Sequence, residues 1–174
     1  LTLTSLSDAI FMNCRKLSNI TFGTNVTNPG EVIIPNTITS IGKSAFFYCA
    51  MSKVVIPESV TSLGSGAFEQ CVNLTYIQIP LTIEDLPTAI VQSCTKLEYI
   101  IFGENITNPY EVVIPDTIKT IGVNAFLSCP IKSVIFDSNS TLKVLNKNVF
   151  AYCANLSLVI LPTSLETIDE HVFY

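Results

Sequence analysis

A unit of about 23 residues repeats along the chain and constrains its fold more than any other feature. Its most regular copy runs from Ile56 to Pro80, IPESVTSLGSGAFEQCVNLTYIQIP, with Ile-Pro at both ends. Such periods indicate a solenoid, because one unit cannot bury its apolar side alone and stacked units form a continuous core. We predict one continuous solenoid domain over residues 1–174, with about six turns.

Each unit contains segments with the alternation of a β-strand. In LTYIQI, residues 74–79, the first, fourth and sixth side chains should face the core, while Tyr76 and Gln78 face outward. The proline that follows ends the strand because it has no N–H to donate. The phrase VTSLG predicts a second short strand with a bend at Gly64, and SGAFEQC predicts a single helical turn that directs its Phe and Cys inward.

The chain also has a longer period of about 80 residues, since residues 1–80 resemble residues 81–160. In each half, one turn carries about 12 extra residues, near 23–32 and 103–112. Both insertions contain Asn-Pro, which is turn chemistry, so we expect loops or small hairpins there. Since the sequence starts and stops within a repeat, we expect it to be a portion of a longer array.

Six cysteines follow similar phrases such as GAFEQC and NAFLSC. A residue that recurs once per turn forms a column, and parallel side chains on neighbouring strands, about 4.8 Å apart, suit disulfide geometry poorly. We therefore predict small buried hydrophobic side chains rather than a disulfide framework or a metal site. The column comprises Cys14, Cys49, Cys71, Cys94, Cys129 and Cys153.

The pattern Cys-x-x-Leu-x-x-Ile-x-Ile-Pro followed by Ile-Gly-x-x-Ala-Phe resembles the BspA-like (treponemal-type) leucine-rich repeat over essentially the whole chain. The resemblance implies a leucine-rich repeat solenoid of mainly β structure within the α/β class. Its right-handed coil would carry a concave parallel sheet, short second strands and single helical turns on the other side. Known members are mostly large surface or secreted proteins associated with adhesion, which implies a binding role.

Composition and motifs argue against several function classes. The net charge of −5 is spread without runs, so no basic footprint for nucleic acid is present, and no apolar stretch reaches the ~18 residues of a membrane helix. We expect no signal peptide, because the first residues lack a basic start. His171 and the carboxylate pairs Glu84-Asp85 and Asp169-Glu170 occupy variable positions, and no phosphate loop or nucleophile elbow occurs. We predict a non-enzyme without cofactor or metal.

The outward strand positions are the predicted partner-binding site. Two adjacent columns become aromatic and aliphatic from the third turn onward, and an exposed apolar patch often marks an interaction site. The alternatives are that branched residues merely favour strands, or that another part of the full protein covers the patch. The first column is Asn19, Lys53, Tyr76, Tyr99, Ser133 and Leu158, and the second is Thr21, Val55, Gln78, Ile101, Ile135 and Ile160. The predicted binding residues are Lys53, Val55, Tyr76, Gln78, Tyr99 and Ile101.

Asn-x-Ser/Thr sequons occur six times, at Asn19, Asn25, Asn73, Asn105, Asn139 and Asn155. They are glycosylated only in a secreted eukaryotic protein. Asn25 and Asn105 are the best candidates because both lie in the insertions, which we expect to project. We expect the intact mass of protein from a secreting eukaryotic host to fall on deglycosylation, and an unchanged mass would contradict this prediction.

Two functions remain open on the sequence. The first is a non-catalytic binding module, at a cell surface or secreted, for a protein or glycan ligand of a host matrix, a cell surface or a neighbouring complex subunit. The alternative is a cytoplasmic or cytoskeletal scaffold that docks to a filament or larger complex. Six unpaired cysteines favour the reducing interior, whereas the sequons and the low charge favour the surface.

Overall fold

The chain forms a parallel β-solenoid. The structure is a computed structural model that describes residues 3–22, 28–104 and 107–174, and within these residues it contains fourteen short strands and no helix. Seven strands form one side of the coil, which we call the main wall: β2 (Glu31–Ile33), β4 (Lys53–Val55), β6 (Tyr76–Ile79), β8 (Tyr99–Phe102), β9 (Glu111–Ile114), β11 (Ser133–Phe136) and β13 (Leu158–Ile160). Seven two-residue strands form the second wall: β1 (Ser5–Leu6), β3 (Ser40–Ile41), β5 (Ser62–Leu63), β7 (Asp85–Leu86), β10 (Thr120–Ile121), β12 (Val144–Leu145) and β14 (Thr167–Ile168).

Both walls are built from parallel strand pairs, as predicted. The main wall contains a sheet in the order β2-β4-β6-β8 and a second in the order β9-β11-β13. The two sheets adjoin, because the N–H of Tyr110 donates to the carbonyl of Glu98 at 2.6 Å, just before β9 and β8 begin. In the second wall β1-β3-β5, β7-β10 and β12-β14 pair in the same parallel sense.

The core lies between the walls and follows the predicted alternation. In β6, Ile77 and Ile79 are fully buried while Tyr76 and Gln78 are half-buried on the outer side. A fully buried Ile contributes on the order of 1.5–3 kcal/mol relative to an exposed one. Since every turn supplies several such side chains, stacking of turns stabilises the fold more than any single turn can.

The predicted single helical turns are wrong. Residues 64–71 instead form overlapping turns, with positive φ at Gly66 (64°) and Gln70 (57°). The N–H of Phe68 donates to Ile90 in the next turn at 3.1 Å, so these segments, which we call the arcs, form a third ladder between turns. An α-helix is about 10 Å wide and cannot stack at the strand spacing of about 4.8 Å, which explains why an arc replaces it.

The arcs nevertheless direct their Phe and Cys side chains inward, as predicted. Phe46 and Phe68 are fully buried and stacked, with ring centroids 5.2 Å apart and an interplanar angle of 6°. Phe126 and Phe150 form an equivalent stack at 5.4 Å and 2°. Val91 occupies the same column between the two stacks, so the aromatic column is interrupted once in the middle of the solenoid.

The cysteines form the predicted buried column. All six are free, and five are buried, while Cys14 in the first turn is half-buried. Each buried thiol donates to a carbonyl of the preceding arc, as in Cys71 to Phe46 at 3.1 Å and Cys94 to Phe68 at 3.2 Å. The thiol therefore has a polar partner inside an apolar column, which reduces the cost of its burial.

The insertions differ from the expected loops. Their last residues form strands, β2 and β9, which extend the main wall in register with β4 and β11. The signal was present in the sequence, because Ile34-Pro35 and Ile114-Pro115 repeat the strand ending seen at Pro80. Asn25 and Asn105 lie outside the described residues, so their glycosylation stays a prediction.

Gly64 has a different role from the predicted bend. A Cβ at this position would overlap the backbone nitrogen of Lys43 in the preceding turn. Gly122 meets the backbone of Thr88 in the same way. Glycine is therefore required where adjacent turns approach most closely, next to the second wall.

Candidate binding surface

The outer face of the main wall brings Lys53, Tyr76 and Tyr99 side by side. The strand register pairs Lys53 with Tyr76 and Tyr76 with Tyr99, as the repeat predicted. The two tyrosine rings lie 6.1 Å apart at 42°, and the Lys53 Nζ lies 5.3 Å from the Tyr76 ring centroid. All three side chains are half-buried, so their contacts with one another leave an accessible surface.

Glu31 extends this row and fixes the position of Lys53. Its carboxylate lies 2.6 Å from the Lys53 Nζ and accepts from the Asn28 side-chain amide at 3.0 Å. The hydrogen bond from Lys53 is the main cause of the lowered pKa of Glu31; burial opposes it, and Asn28 adds to it. The sequence wrongly placed Asn19 next to Lys53, because β2 supplies Glu31 between them.

The second predicted column is only partly exposed. Val55 and Gln78 are half-buried, and the Tyr76 hydroxyl donates to Gln78 Oε1 at 3.3 Å. Ile101 is a correction, because it is only 1% exposed and cannot contact a partner. In β8 the alternation of the regular turns is lost after Tyr99, since Ile100, Ile101 and Phe102 are all buried.

Beyond β8 the predicted column is shifted by one strand. Ser133 lies opposite Glu111 in β9, rather than beside Tyr99 as expected. Leu158 and Ile160 pair with Ser133 and Ile135 and are exposed on β13. The tyrosine pair and the aliphatic positions of the last turns are therefore separated by β9.

Sequence reasoning missed Tyr110, which lies next to the junction of β8 and β9. The Lys132 Nζ lies 4.3 Å from its ring centroid. The neighbouring Glu98 carboxylate raises the pKa of the Tyr110 hydroxyl, first through its charge and also by accepting a hydrogen bond, and burial adds to the shift. The available signal was that Tyr110 replaces Gly30 of the matching insertion 80 residues earlier.

A cavity of about 420 Å³ opens beside Tyr110 at the edge of the main wall. Its lining is polar and carries both signs of charge. The lining residues are Thr75, Thr95, Lys96, Glu98, Tyr110, Pro130, Lys132 and Asn155. We call this cavity the junction pocket. The candidate binding surface consists of the junction pocket and the row of Glu31, Lys53, Tyr76 and Tyr99.

The titratable groups weighed as catalysts lie on other surfaces. His171 is exposed, with its Nδ1 3.8 Å from Glu170. Glu84 pairs with Lys119 at 2.6 Å, and the Asp85 carboxylate accepts from the Thr120 hydroxyl at 2.6 Å. Over residues 3–22, 28–104 and 107–174, no three His, Cys, Asp or Glu side chains are grouped so that they could hold a metal ion. The same residues include no helix of the length and hydropathy needed to cross a membrane.

The comparisons with known proteins agree with this architecture. The family model of the BspA type leucine rich repeat region matches residues 1–33, 28–113 and 107–174, with six copies. The chain therefore belongs to the BspA-type leucine-rich repeat family. None of the curated proteins compared with the chain matches it.

Solved structures share the fold at low identity. A leucine rich cell surface protein from Faecalibacterium prausnitzii is 24% identical over 98% of this chain and 48% of that one, with a TM-score of 0.59. The leucine rich repeat protein of T. pallidum is 22% identical, with 79% and 72% covered and a TM-score of 0.60. The pneumococcal vaccine antigen PcpA is 15% identical, with 98% and 65% covered and a TM-score of 0.61. This chain spans about half the length of the F. prausnitzii protein.

Proposed function

We propose that the protein is a non-catalytic binding module that attaches to a protein partner at a cell surface, as an adhesion protein does. The observation that carries the proposal is the Tyr76–Tyr99 pair, held outward on the main wall with Lys53 fixed beside it by Glu31. Tyrosine supplies a large contact area with a polar tip and few rotatable bonds, and it is enriched in interface centres.

The site is largely ordered before a partner arrives. Tyr76 contacts Tyr99, Lys53 and Gln78, so its ring loses little rotational freedom on binding. Ordering a flexible side chain at an interface costs about 0.5–1.5 kcal/mol, so a preorganised row binds more tightly than an equal area of mobile side chains. Repetition of turns adds further weak contacts along the same wall.

The cell-surface part of the proposal is supported by similarity in fold. One similar structure is described as a cell surface protein and another as a pneumococcal vaccine antigen. The free cysteines do not favour the intracellular alternative, because five are buried and therefore shielded from external thiols and oxidants. Buried thiols of this kind persist in either compartment.

The test is a binding comparison on a panel of immobilised extracellular matrix proteins. We expect wild-type protein to bind a member of the panel, and the double variant Y76S/Y99S to bind it at least about 30-fold more weakly, which corresponds to ~2 kcal/mol. Tyr152→Ser is the matched control, because Tyr152 is 60% exposed on an arc, away from the main wall.

The control variant should keep wild-type affinity, and all variants should retain the wild-type circular dichroism spectrum. Unchanged binding by Y76S/Y99S would exclude the tyrosine pair as the binding site. Binding by none of the panel proteins would exclude matrix adhesion as the function of this face.

A further inference from the structure

We propose that the junction pocket binds a side-chain carboxylate of the same protein partner, so that an acidic residue docks beside the tyrosine row. This inference rests on the proposed function and deepens it by stating what the partner presents. Three observations carry it: the backbone strain at Tyr110, the two lysines of the pocket that have no ion pair, and the charges of the pocket lining.

Tyr110 has a left-handed backbone conformation, with φ of 65°. The arcs contain the other described non-glycine residues with positive φ, and Tyr110 alone lies outside them. The matching position of the first insertion is Gly30, with φ of 84°. Such a conformation costs a non-glycine residue on the order of 1 kcal/mol, and strain of this kind concentrates at binding sites. The ring at this position therefore indicates a role other than chain reversal.

The lysines divide into paired and unpaired groups. Lys53, Lys119, Lys143 and Lys147 form ion pairs with Glu31, Glu84, Glu166 and Glu170. Four lysines have no carboxylate within ion-pair distance among the described residues, namely Lys16, Lys43, Lys96 and Lys132. Two of these four, Lys96 and Lys132, line the junction pocket. The Lys96 ammonium donates to the neutral amide oxygen of Asn73 at 3.3 Å, and Lys132 lies over the Tyr110 ring. The junction pocket therefore carries two ammonium groups and one carboxylate, that of Glu98, in a protein with net charge −5.

The charges of the lining favour an acidic ligand over a neutral one. The Thr75 hydroxyl is already engaged, because it donates to the carbonyl of Ser52 at 3.0 Å. The Lys96 and Lys132 ammonium groups have no carboxylate within ion-pair distance, so they can pair with a carboxylate of a ligand. The cavity of about 420 Å³ has room for an acidic side chain together with its adjoining backbone. A carboxylate held by two ammonium groups forms charge-assisted hydrogen bonds, which are the stronger kind.

The experiment is an NMR titration of the ¹⁵N-labelled protein with two capped peptides, acetyl-Gly-Glu-Ala-Glu-Gly-amide and its Gln counterpart. We expect the Glu peptide to shift the amide signals of Lys96, Glu98 and Lys132, with a Kd at least tenfold below that of the Gln peptide. The variant K96Q/K132Q should lose at least tenfold in affinity. K119Q/K143Q, which removes the same charge from lysines outside the pocket, should bind as wild type does.

The variant Tyr110→Gly tests the contribution of the Tyr110 ring to binding without disturbing the fold. Since glycine tolerates the left-handed backbone, we expect this variant to keep the wild-type Tm and to bind the Glu peptide at least threefold more weakly. Equal affinity for both peptides, or full binding by K96Q/K132Q, would overturn the carboxylate assignment. Full affinity of Tyr110→Gly would overturn the role of the ring.

A third titration, with glucuronic acid, distinguishes an acidic sugar from an acidic peptide. Shifts of the same amide signals by glucuronic acid without binding of the Glu peptide would overturn the protein-partner assignment. These titrations do not use the matrix panel. Failure of the carboxylate assignment therefore leaves the panel result for Y76S/Y99S standing, and failure on the panel leaves the titration standing.

Discussion

Phe68→Ala is expected to lower the free energy of unfolding by about 3–5 kcal/mol, the usual cost of removing a buried aromatic ring. Phe68 is 0% exposed and stacks on Phe46, with Val91 next in the column on the other side. Neighbouring turns are tied by ladders on three sides, so they cannot collapse into the space that the ring leaves. The loss is measured by urea denaturation followed by circular dichroism.

Phe173→Ala is the matched control, because its ring belongs to the same column but is 42% exposed in the last turn. We expect it to cost less than half as much as Phe68→Ala, since the free energy lost scales with the buried area and with the cavity formed. Equal losses of unfolding free energy in the two variants would show that the contribution of a ring in this column does not depend on how deeply the ring is buried.

Alkaline pH should destabilise the protein steeply. Burial raises the pKa of Cys49 and Cys153 to about 11 and that of Cys71 to about 12, from an ordinary value of 9.0, and it raises those of Cys94 and Cys129 well above 9.0. A thiol with a raised folded-state pKa stabilises the fold fully below the unfolded-state pKa, and this contribution is lost as the pH rises toward the folded-state value. Between pH 9 and 11 the unfolded chain therefore binds fewer protons than the folded one, and each thiol lowers the free energy of unfolding by up to about 1.4 kcal/mol per pH unit.

The measurement is the urea midpoint at half-unit steps from pH 8 to 11, in the presence of a reductant. We expect little change below pH 8.5 and a steep fall above pH 9. In Cys94→Ala, the number of protons released on unfolding above pH 9 should fall by about one, which makes the free energy of unfolding less dependent on pH. This variant is also less stable than wild type at pH 7, because the substitution leaves a cavity. A midpoint that stays constant from pH 8 to 11 would contradict the burial of the thiol column.

The regular turns could be predicted from the sequence in detail. Because side chains alternate along a strand and every turn repeats the same spacing, the pairing of Lys53, Tyr76 and Tyr99 followed from counting residues. The inward column of Phe68 and Cys71 followed in the same way. Both predictions depend only on the spacing of the repeat, and the chain contains enough copies to make that spacing unambiguous.

The departures arose where one pattern fits two structures. Phe68 and Cys71 lie three residues apart in a helical turn and equally in an arc, and only the spacing of neighbouring turns distinguishes the two. The Asn-Pro of each insertion predicts a loop at Glu31 and Glu111, whereas the Ile-Pro that follows marks the end of a strand, and the structure has strands there. Ile101 lies in an outward column of the repeat and is nevertheless buried, within three consecutive buried residues of β8 that the alternation of a strand does not predict.

The extra strands also affect the path of the solenoid axis. In the second wall β7 pairs directly with β10, whereas in the main wall β9 stands between β8 and β11. One wall is therefore taller by one strand spacing, about 4.8 Å. Across a body about 10 Å thick, this difference would tilt the turns on either side by roughly 25° relative to one another. The insertion that ends in β2 has the same effect in the first turns. There β1 pairs directly with β3 in the second wall, whereas β2 stands between Ile20 and β4 in the main wall. The number and position of such insertions would then set the direction in which an array of these repeats curves, while the regular turns set only its length.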